Sequence, residues 1–207
     1  MTHHSRFLER ARSAADPSEQ KSIYDKWSSA YDADLDELGY VGPLSAAHQL
    51  ARYLPETRSL ILDAGCGTGK VGAELKRMGY SAIHGADISQ GMMDLAQQHD
   101  CYRKLFLLDL TKRFDHLPEK YDAVISVGIL GRLIPTTVLS ELIQITKPGG
   151  ILCLTIRDNY TDGRNYKAAI DLLEEQGIIE LLAADVFDYI IGENHAAPIC
   201  ILQKNDV

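Results

Sequence analysis

At 207 residues, 45% of them hydrophobic and 24% charged, the chain can form one globular domain with a sizeable core. Its formal net charge of −8, with no dense Lys/Arg cluster, argues against a sequence-independent grip on nucleic acid. No apolar run approaches the length of a membrane span, residues 1–6 lack the apolar core of a signal peptide, and the four scattered cysteines show no C-x-x-C spacing. A cytoplasmic protein with free thiols, no membrane partner and no metal site is therefore expected.

Residues 1–18 are charged and Ala/Ser-rich and read as a loosely held arm, with Asp16-Pro17-Ser18 as a helix start. Tyr24, Trp27 and Tyr31 then fall at i, i+3 and i+7, so one helical face carries three aromatics. That stripe can be core, or it can close over a ligand. Gly39 to Pro43 breaks the chain, and 44–54 reads as an amphipathic helix ended by Pro55. His48 near its apolar face reads as structural. A strand at about 59–63 ends on Asp63, and glycines alternate with small residues through Gly65, Cys66, Gly67, Thr68 and Gly69 before a helix over 70–78. A parallel strand that stops at a glycine turn and feeds a helix N-terminus is where open α/β sheets hold a cofactor. The missing Cβ atoms let backbone N–H groups approach a ligand and make positive φ cheap.

Charge narrows the choice of cofactor. A P-loop fails, because its first glycine would fall on Ala64 and Val71 replaces the metal-binding hydroxyl. A nicotinamide dinucleotide fits the G-x-G-x-x-G spacing, but Asp63 would then sit beside a doubly negative pyrophosphate. A sulfonium has no such conflict, since Asp63 can stabilise positive charge directly or through water. The run Asp63-Ala64-Gly65-Cys66-Gly67-Thr68-Gly69 resembles motif I of the class I S-adenosylmethionine-dependent methyltransferases, D-x-G-x-G-x-G, with every position filled.

The strand over 82–86 ends in Asp87, 18 residues after Gly69, close to the spacing at which a strand-end carboxylate meets ribose hydroxyls. Ser89 starts the next helix, and Asp87-Ile88-Ser89 with Met92 matches the family's D-I-S-x-x-M pattern, in which Ile88 and Met92 would flank the adenine. The strand over 104–108 leads to Asp109 and Leu110, which the resemblance assigns to the adenine amine and a ring nitrogen. A fourth strand covers 121–128, a helix 135–145, and a fifth strand 151–156 after the Lys147-Pro148-Gly149-Gly150 turn, itself a family mark. A helix over 165–176 and strands over 178–191 and 198–203 complete the chain. An antiparallel hairpin at the end marks the methyltransferase variant of the fold. The resemblance thus implies a Rossmann-like, doubly wound α/β domain with a seven-stranded sheet ordered 3-2-1-4-5-7-6, strand 7 antiparallel. It divides residues 1–207 into the arm, a helical lid over 19–57 and a core over 58–207. The lid pattern of small-molecule methyltransferases places Tyr24 and Tyr31 on the cofactor, with Ala64, Val127 and Gly128 completing the set around the glycine turn.

Several further segments look like the Williams–Beuren syndrome region methyltransferase-like proteins: Tyr24-Asp25, Leu38-Gly39-Tyr40, Ile125 to Gly128, Thr146 to Gly150 and Phe187-Asp188-Tyr189. Substrate is less legible. Ile129-Leu130-Gly131-Arg132 replaces the Asn-Pro-Pro-Tyr run of N-methylating relatives, which argues against glutamine or adenine as acceptor. Arg132, Asn159, Tyr160 and Tyr166 lie in the loops expected to face the methyl group and are candidate substrate contacts. No obligatory base is named, and methyl transfer needs one only for an acceptor protonated at neutral pH. The expected function is methyl transfer from S-adenosylmethionine, leaving S-adenosylhomocysteine, to a small molecule. A catalytically silent S-adenosylmethionine-binding module and an NAD(P)-dependent oxidoreductase are the alternatives.

Overall fold

A computed structural model of the chain describes residues 3–114, 117, 120–131, 133–156 and 165–206. Seven strands form one sheet: β1 (Leu60–Ala64), β2 (Ala82–Asp87), β3 (Lys104–Leu107), β4 (Tyr121–Leu130), β5 (Thr146–Ile156), β6 (Ile179–Ile190) and β7 (His195–Lys204). Their order is β3-β2-β1-β4-β5-β7-β6, with β1 to β5 parallel and β7 antiparallel to both neighbours. This is the order implied by the sequence. The direction of winding reverses between β1 and β4, which opens a crevice at the strand ends there.

Neighbouring residues of the central strands point to opposite faces, so a near-continuous apolar run fills two cores at once. Leu62, Val124, Leu152 and Leu202 pack with α6 (Val138–Ile145) and α7 (Tyr166–Glu175). Ile61, Ala123, Ile125 and Ile201 pack on the other face with α3 (Gly42–Tyr53) and α4 (Lys70–Arg77). A short helix, α5 (Gln90–Ala96), follows β2, capped by the Ser89 hydroxyl accepting from the Met92 N–H. The Lys147 to Gly150 turn falls within β5, where Thr146 pairs with Tyr121 and Ile151 already pairs with Ala123.

The N-terminal residues differ from the expected arm. They form α1 (His3–Ser13), packed on the long α2 (Pro17–Glu37) around a third cluster of Ala11, Ala14, Ile23, Trp27 and Leu35. Asp16 caps α2 by accepting from the Glu19 N–H at 2.9 Å, and Pro17 occupies its first turn. Trp27 is fully buried, stacked between Phe7 and Tyr24, with its indole N–H donating to Asp34 at 2.7 Å.

Candidate active site

The glycine turn is hooked to the end of β2. Gly65 and Cys66 both donate to the Ala86 carbonyl, at 2.7 and 3.0 Å, and Gly67 donates to Asp87 Oδ2 at 2.9 Å. The turn needs its glycines for different reasons. Gly65 has φ +83°, and a Cβ there would stand 2.3 Å from Ile129. Gly67 has φ +52° with nothing within 4 Å of the same position, so it leaves open space at the cavity wall. Gly69, φ +96°, lets the turn approach Ala96 on α5.

A cavity with about 1170 Å³ of empty space, mouth included, opens at the ends of β1, β2 and β4 and is roofed by α2. Its wall brings together Tyr24, Tyr31, Gly65, Cys66, Gly67 and Asp87, and beyond them Ile88, Met92, Asp109, Leu110, Val127 and Gly128. These residues come from five separate stretches of chain and meet on one wall. Ala64 and Gly69 lie behind the wall and shape the turn.

Asp63 is also behind the wall. It is fully buried, accepting from the Tyr102 hydroxyl at 2.6 Å through Oδ2, while Oδ1 has no hydrogen-bond partner. The Tyr102 oxygen in turn accepts from the Gly72 N–H at 3.2 Å. Burial pushes the Asp63 carboxyl up to about 7, only partly offset by the Tyr102 bond. Its role in this geometry is to tie β1, the start of α4 and the approach to β3 together beneath the turn.

Asp87 faces the cavity with both oxygens already engaged, Oδ2 by Gly67 and Oδ1 by the Ser89 N–H at 2.9 Å. Burial raises its pKa, and the backbone N–H groups of Ser89 and Gly67 act against that shift. A carboxylate offers about four lone-pair sites, so acceptor capacity remains for two ligand hydroxyls. Asp109 takes both the N–H and the hydroxyl of Thr111 on Oδ1, and Lys112 lies 3.4 Å from Oδ2. Burial works to raise this carboxyl, but the Thr111 and Lys112 contacts outweigh it and hold it below its ordinary value.

Helix α2 is fixed to this frame by three acidic side chains along one face. Asp25 accepts from the Ser89 hydroxyl, Asp32 accepts from Thr68 at 2.6 Å, and Asp36 accepts from Lys70 at 2.7 Å. Among the described wall residues the only charged groups are Asp87, Asp109 and Lys70, and Lys70 is already paired with Asp36. A wall whose uncompensated charge is negative suits a sulfonium and an ammonium and repels a pyrophosphate. The open space at Gly67 and the hydroxyl-accepting Asp87 fit the rest of S-adenosylmethionine.

Of the expected substrate contacts, Arg132, Asn159 and Tyr160 lie outside the described residues. Tyr166 is placed in the core: it is fully buried and its hydroxyl donates to the Ile134 carbonyl at 2.9 Å, so it does not reach the wall. The wall instead gains Tyr40 and Tyr189, whose hydroxyls are 2.9 Å apart. The likeness noted above singles out both segments, but nothing in the sequence says that residues so far apart meet.

Comparison with known proteins agrees with this geometry. Residues 61–150 match a methyltransferase domain model. Methyltransferase-like protein 27 of Homo sapiens is 39% identical over 182 residues, covering 84% of this chain and 74% of its own. A demethylmenaquinone methyltransferase of Clavibacter sepedonicus is 30% identical over 158 residues, covering 70% of this chain and 61% of its own. The fold is shared with 1,6-didemethyltoxoflavin-N1-methyltransferase of Burkholderia thailandensis, at 18% identity and a TM-score of 0.67, covering 93% of this chain and 92% of that one. Magnesium protoporphyrin IX methyltransferase of Synechocystis, with S-adenosylmethionine bound, matches at 18% identity and 0.60, covering 99% and 92%. With a glycine turn set for a cationic cofactor and a relative this similar along most of both chains, the chain belongs to the class I S-adenosylmethionine-dependent methyltransferases.

Proposed function

We propose that the protein transfers the cofactor's methyl group to a small molecule enclosed beneath α2. In this reading Asp87 accepts from the ribose hydroxyls, Ile88 and Met92 flank the adenine, and Asp109 with Leu110 meets its polar edge. The glycine turn, Tyr24 and Tyr31 surround the methionine moiety. The observation that carries the reading is the single cavity wall that joins those residues to the end of β4. A roofed chamber favours a small acceptor over a macromolecular one, as does the net charge of −8 over RNA. Among similar proteins, one is named for demethylmenaquinone and one for 1,6-didemethyltoxoflavin, which supports the same choice.

The protein supplies alignment and water exclusion, worth on the order of 7–11 kcal/mol when reactants are held in line. Two experiments test it. Calorimetry should show binding of S-adenosylmethionine and S-adenosylhomocysteine and none of NAD or NADP. Methyl-labelled cofactor should pass label to a low-molecular-weight fraction of a cell extract; label found only in protein or RNA would refute the small-molecule reading.

A further inference from the structure

The cavity has two chemically different halves. Every charged wall residue among those described, Lys70, Asp87 and Asp109, stands on the side of β1, β2 and β3. The half made by β4, β6 and the N-terminal helices is apolar among its described residues, with Leu35, Pro43, Ile129, Ile134 and Ile190 on its wall. Its polar groups are hydroxyls and one amide, Gln20. No carboxylate or imidazole stands on this half among the described residues.

Two strand irregularities aim a pair of hydroxyls into it. Between Ser126 and Leu130, β4 advances four residues while β5 advances two, which swings Val127, Gly128 and Ile129 out of pairing and onto the wall. Between Asp188 and Ile190, β6 makes a similar slip, with Tyr189 as the extra residue. Tyr40 is brought to it by backbone bonding, Val41 N–H to the Tyr189 carbonyl at 3.0 Å, and the two rings meet edge to face at 5.0 Å. The His195 ring meets that of Tyr189 edge to face at 5.5 Å and is not part of the wall. Both hydroxyls sit over Gly128: a Cβ built there would lie 2.3 Å from the Tyr189 oxygen and 3.3 Å from the Tyr40 oxygen. Gly128, φ +77°, is therefore glycine so that two phenol oxygens can stand at the end of β4, on the acceptor side of the proposed cofactor position.

We infer that the acceptor is an apolar molecule presenting an anionic sulfur or oxygen nucleophile, which the Tyr40–Tyr189 hydroxyl pair holds against the methyl group. This rests on the reading of the site given under Proposed function. With no carboxylate or imidazole on this half among the described residues, the nucleophile loses its proton to solvent by its own acidity before transfer. The bond made is between that anionic atom and the methyl carbon; the bond broken is methyl to sulfur, whose electron pair returns to sulfur as neutral S-adenosylhomocysteine. An anion and a sulfonium thus become two neutral molecules, a change that an apolar, water-poor chamber favours. An amine would leave a cation on the half of the chamber whose described wall carries no carboxylate. Phenol hydroxyls donate to an anion and so hold the reactive form in place. Tyr31, partly buried on the same wall with its pKa raised by burial and by neighbouring Tyr24, stays a neutral donor.

Thiophenol, benzoate and aniline put anionic sulfur, anionic oxygen and neutral nitrogen on the same ring. The full-length protein is given each with methyl-labelled S-adenosylmethionine at neutral pH, with a protein-free control subtracted. Label should appear in thioanisole or methyl benzoate at least tenfold faster than in N-methylaniline. Tyr189→Phe and Tyr40→Phe should each lower kcat for the preferred anion at least tenfold, while the calorimetric Kd for S-adenosylmethionine stays within twofold. Aniline leading the series, Phe variants that turn over like the parent, or a cofactor-loaded protein that methylates neither anion would each overturn the proposal. Failure to bind the cofactor appears in the same calorimetry and strikes the underlying reading instead.

Discussion

Trp27→Ala should melt the N-terminal helices and leave the sheet standing. Trp27 is fully buried, but in the cluster it shares with Ala11, Ala14, Ile23 and Leu35, apart from the two cores that flank the sheet. Truncating such a side chain costs about 3–5 kcal/mol, and the buried Asp34 carboxylate loses the indole donor as well, roughly 1–3 kcal/mol more. Leu8, Leu38 and Tyr40 are the packed side chains this cluster shares with the core on the sheet. Three polar contacts also tie α2 to the frame, Asp25 to Ser89, Asp32 to Thr68 and Asp36 to Lys70.

The expected outcome is local. Hydrogen exchange followed by mass spectrometry should show residues 7–37 losing protection, with peptides from β1 and β4 unchanged. Far-UV circular dichroism should lose up to the 11 helical residues of α1 and the 21 of α2. Cofactor affinity should fall with them, because Tyr24 and Tyr31 leave the wall. Trp27→Phe, which keeps the ring stack and removes only the donor, should show a smaller effect of the same kind. Equal loss of protection in β4 and α2, in one cooperative transition, would refute the idea that the helical pair is a separate unit that can act as a lid.

Three further outcomes follow from the site. Because burial holds Asp63 at about 7 rather than 3.8, the folded chain keeps a proton that the unfolded chain releases. The stability from that proton is complete below about pH 4 and gone above about pH 7; Asp63→Asn should therefore gain on the parent by up to about 4 kcal/mol across that range in denaturant titrations, and a constant difference would contradict it. Gly67→Ala, with an open site at φ +52°, should cost the fold only about 1–2 kcal/mol yet weaken S-adenosylhomocysteine binding at least tenfold, whereas Gly65→Ala should damage the fold itself against Ile129; the reverse ranking would mean that the turn faces the other way. Cys66 is buried, its thiol raised well above its ordinary range by burial with Asp63 and Asp87 nearby, and it lines the cavity. Its alkylation should be slow in the native protein and slower still with S-adenosylhomocysteine bound; acceleration by the ligand would place the cofactor elsewhere.

The strand order and the identity of the cofactor were legible because each signal is local. At β1 a carboxylate is followed by glycines, and at β2 a carboxylate is followed by a hydroxyl that caps the next helix, each within one continuous segment. Asp63 shows the limit of such reading. Its polarity and position beside the turn suggested a ligand contact, but strand alternation puts it on the face of Ile61, under α4 and against Tyr102, and that partner is 39 residues away. The N-terminal arm was misjudged on composition. Its charged average hid Phe7, Leu8, Ala11 and Ala14, a spacing of i, i+1, i+4 and i+7 that makes a helical stripe. The acceptor half was illegible for a different reason. Tyr40 and Tyr189 are 149 residues apart and meet only because a strand slip and a backbone bridge bring them together.

The aromatic stripe resolves the choice between core and ligand wall by being both. Tyr24 and Tyr31 present to the cavity what Trp27 anchors from behind, with Tyr31 edge-on to the indole at 4.7 Å and Tyr24 stacked at 6.2 Å. A ring that lines a ligand site is soft unless something stiff supports it, and here the stiff element is the small core of the helical pair. The acids at 25, 32 and 36 then lie along the same helix as those tyrosines and grip Ser89, Thr68 and Lys70, which begin α5, belong to the glycine turn and begin α4. Any motion of α2 that opens the chamber must therefore release hydrogen bonds on the cofactor turn itself. If the proposed function holds, cofactor seating and acceptor enclosure are coupled. S-adenosylhomocysteine should then raise hydrogen-exchange protection in α2 as well as in the turn; protection confined to the turn would refute the coupling.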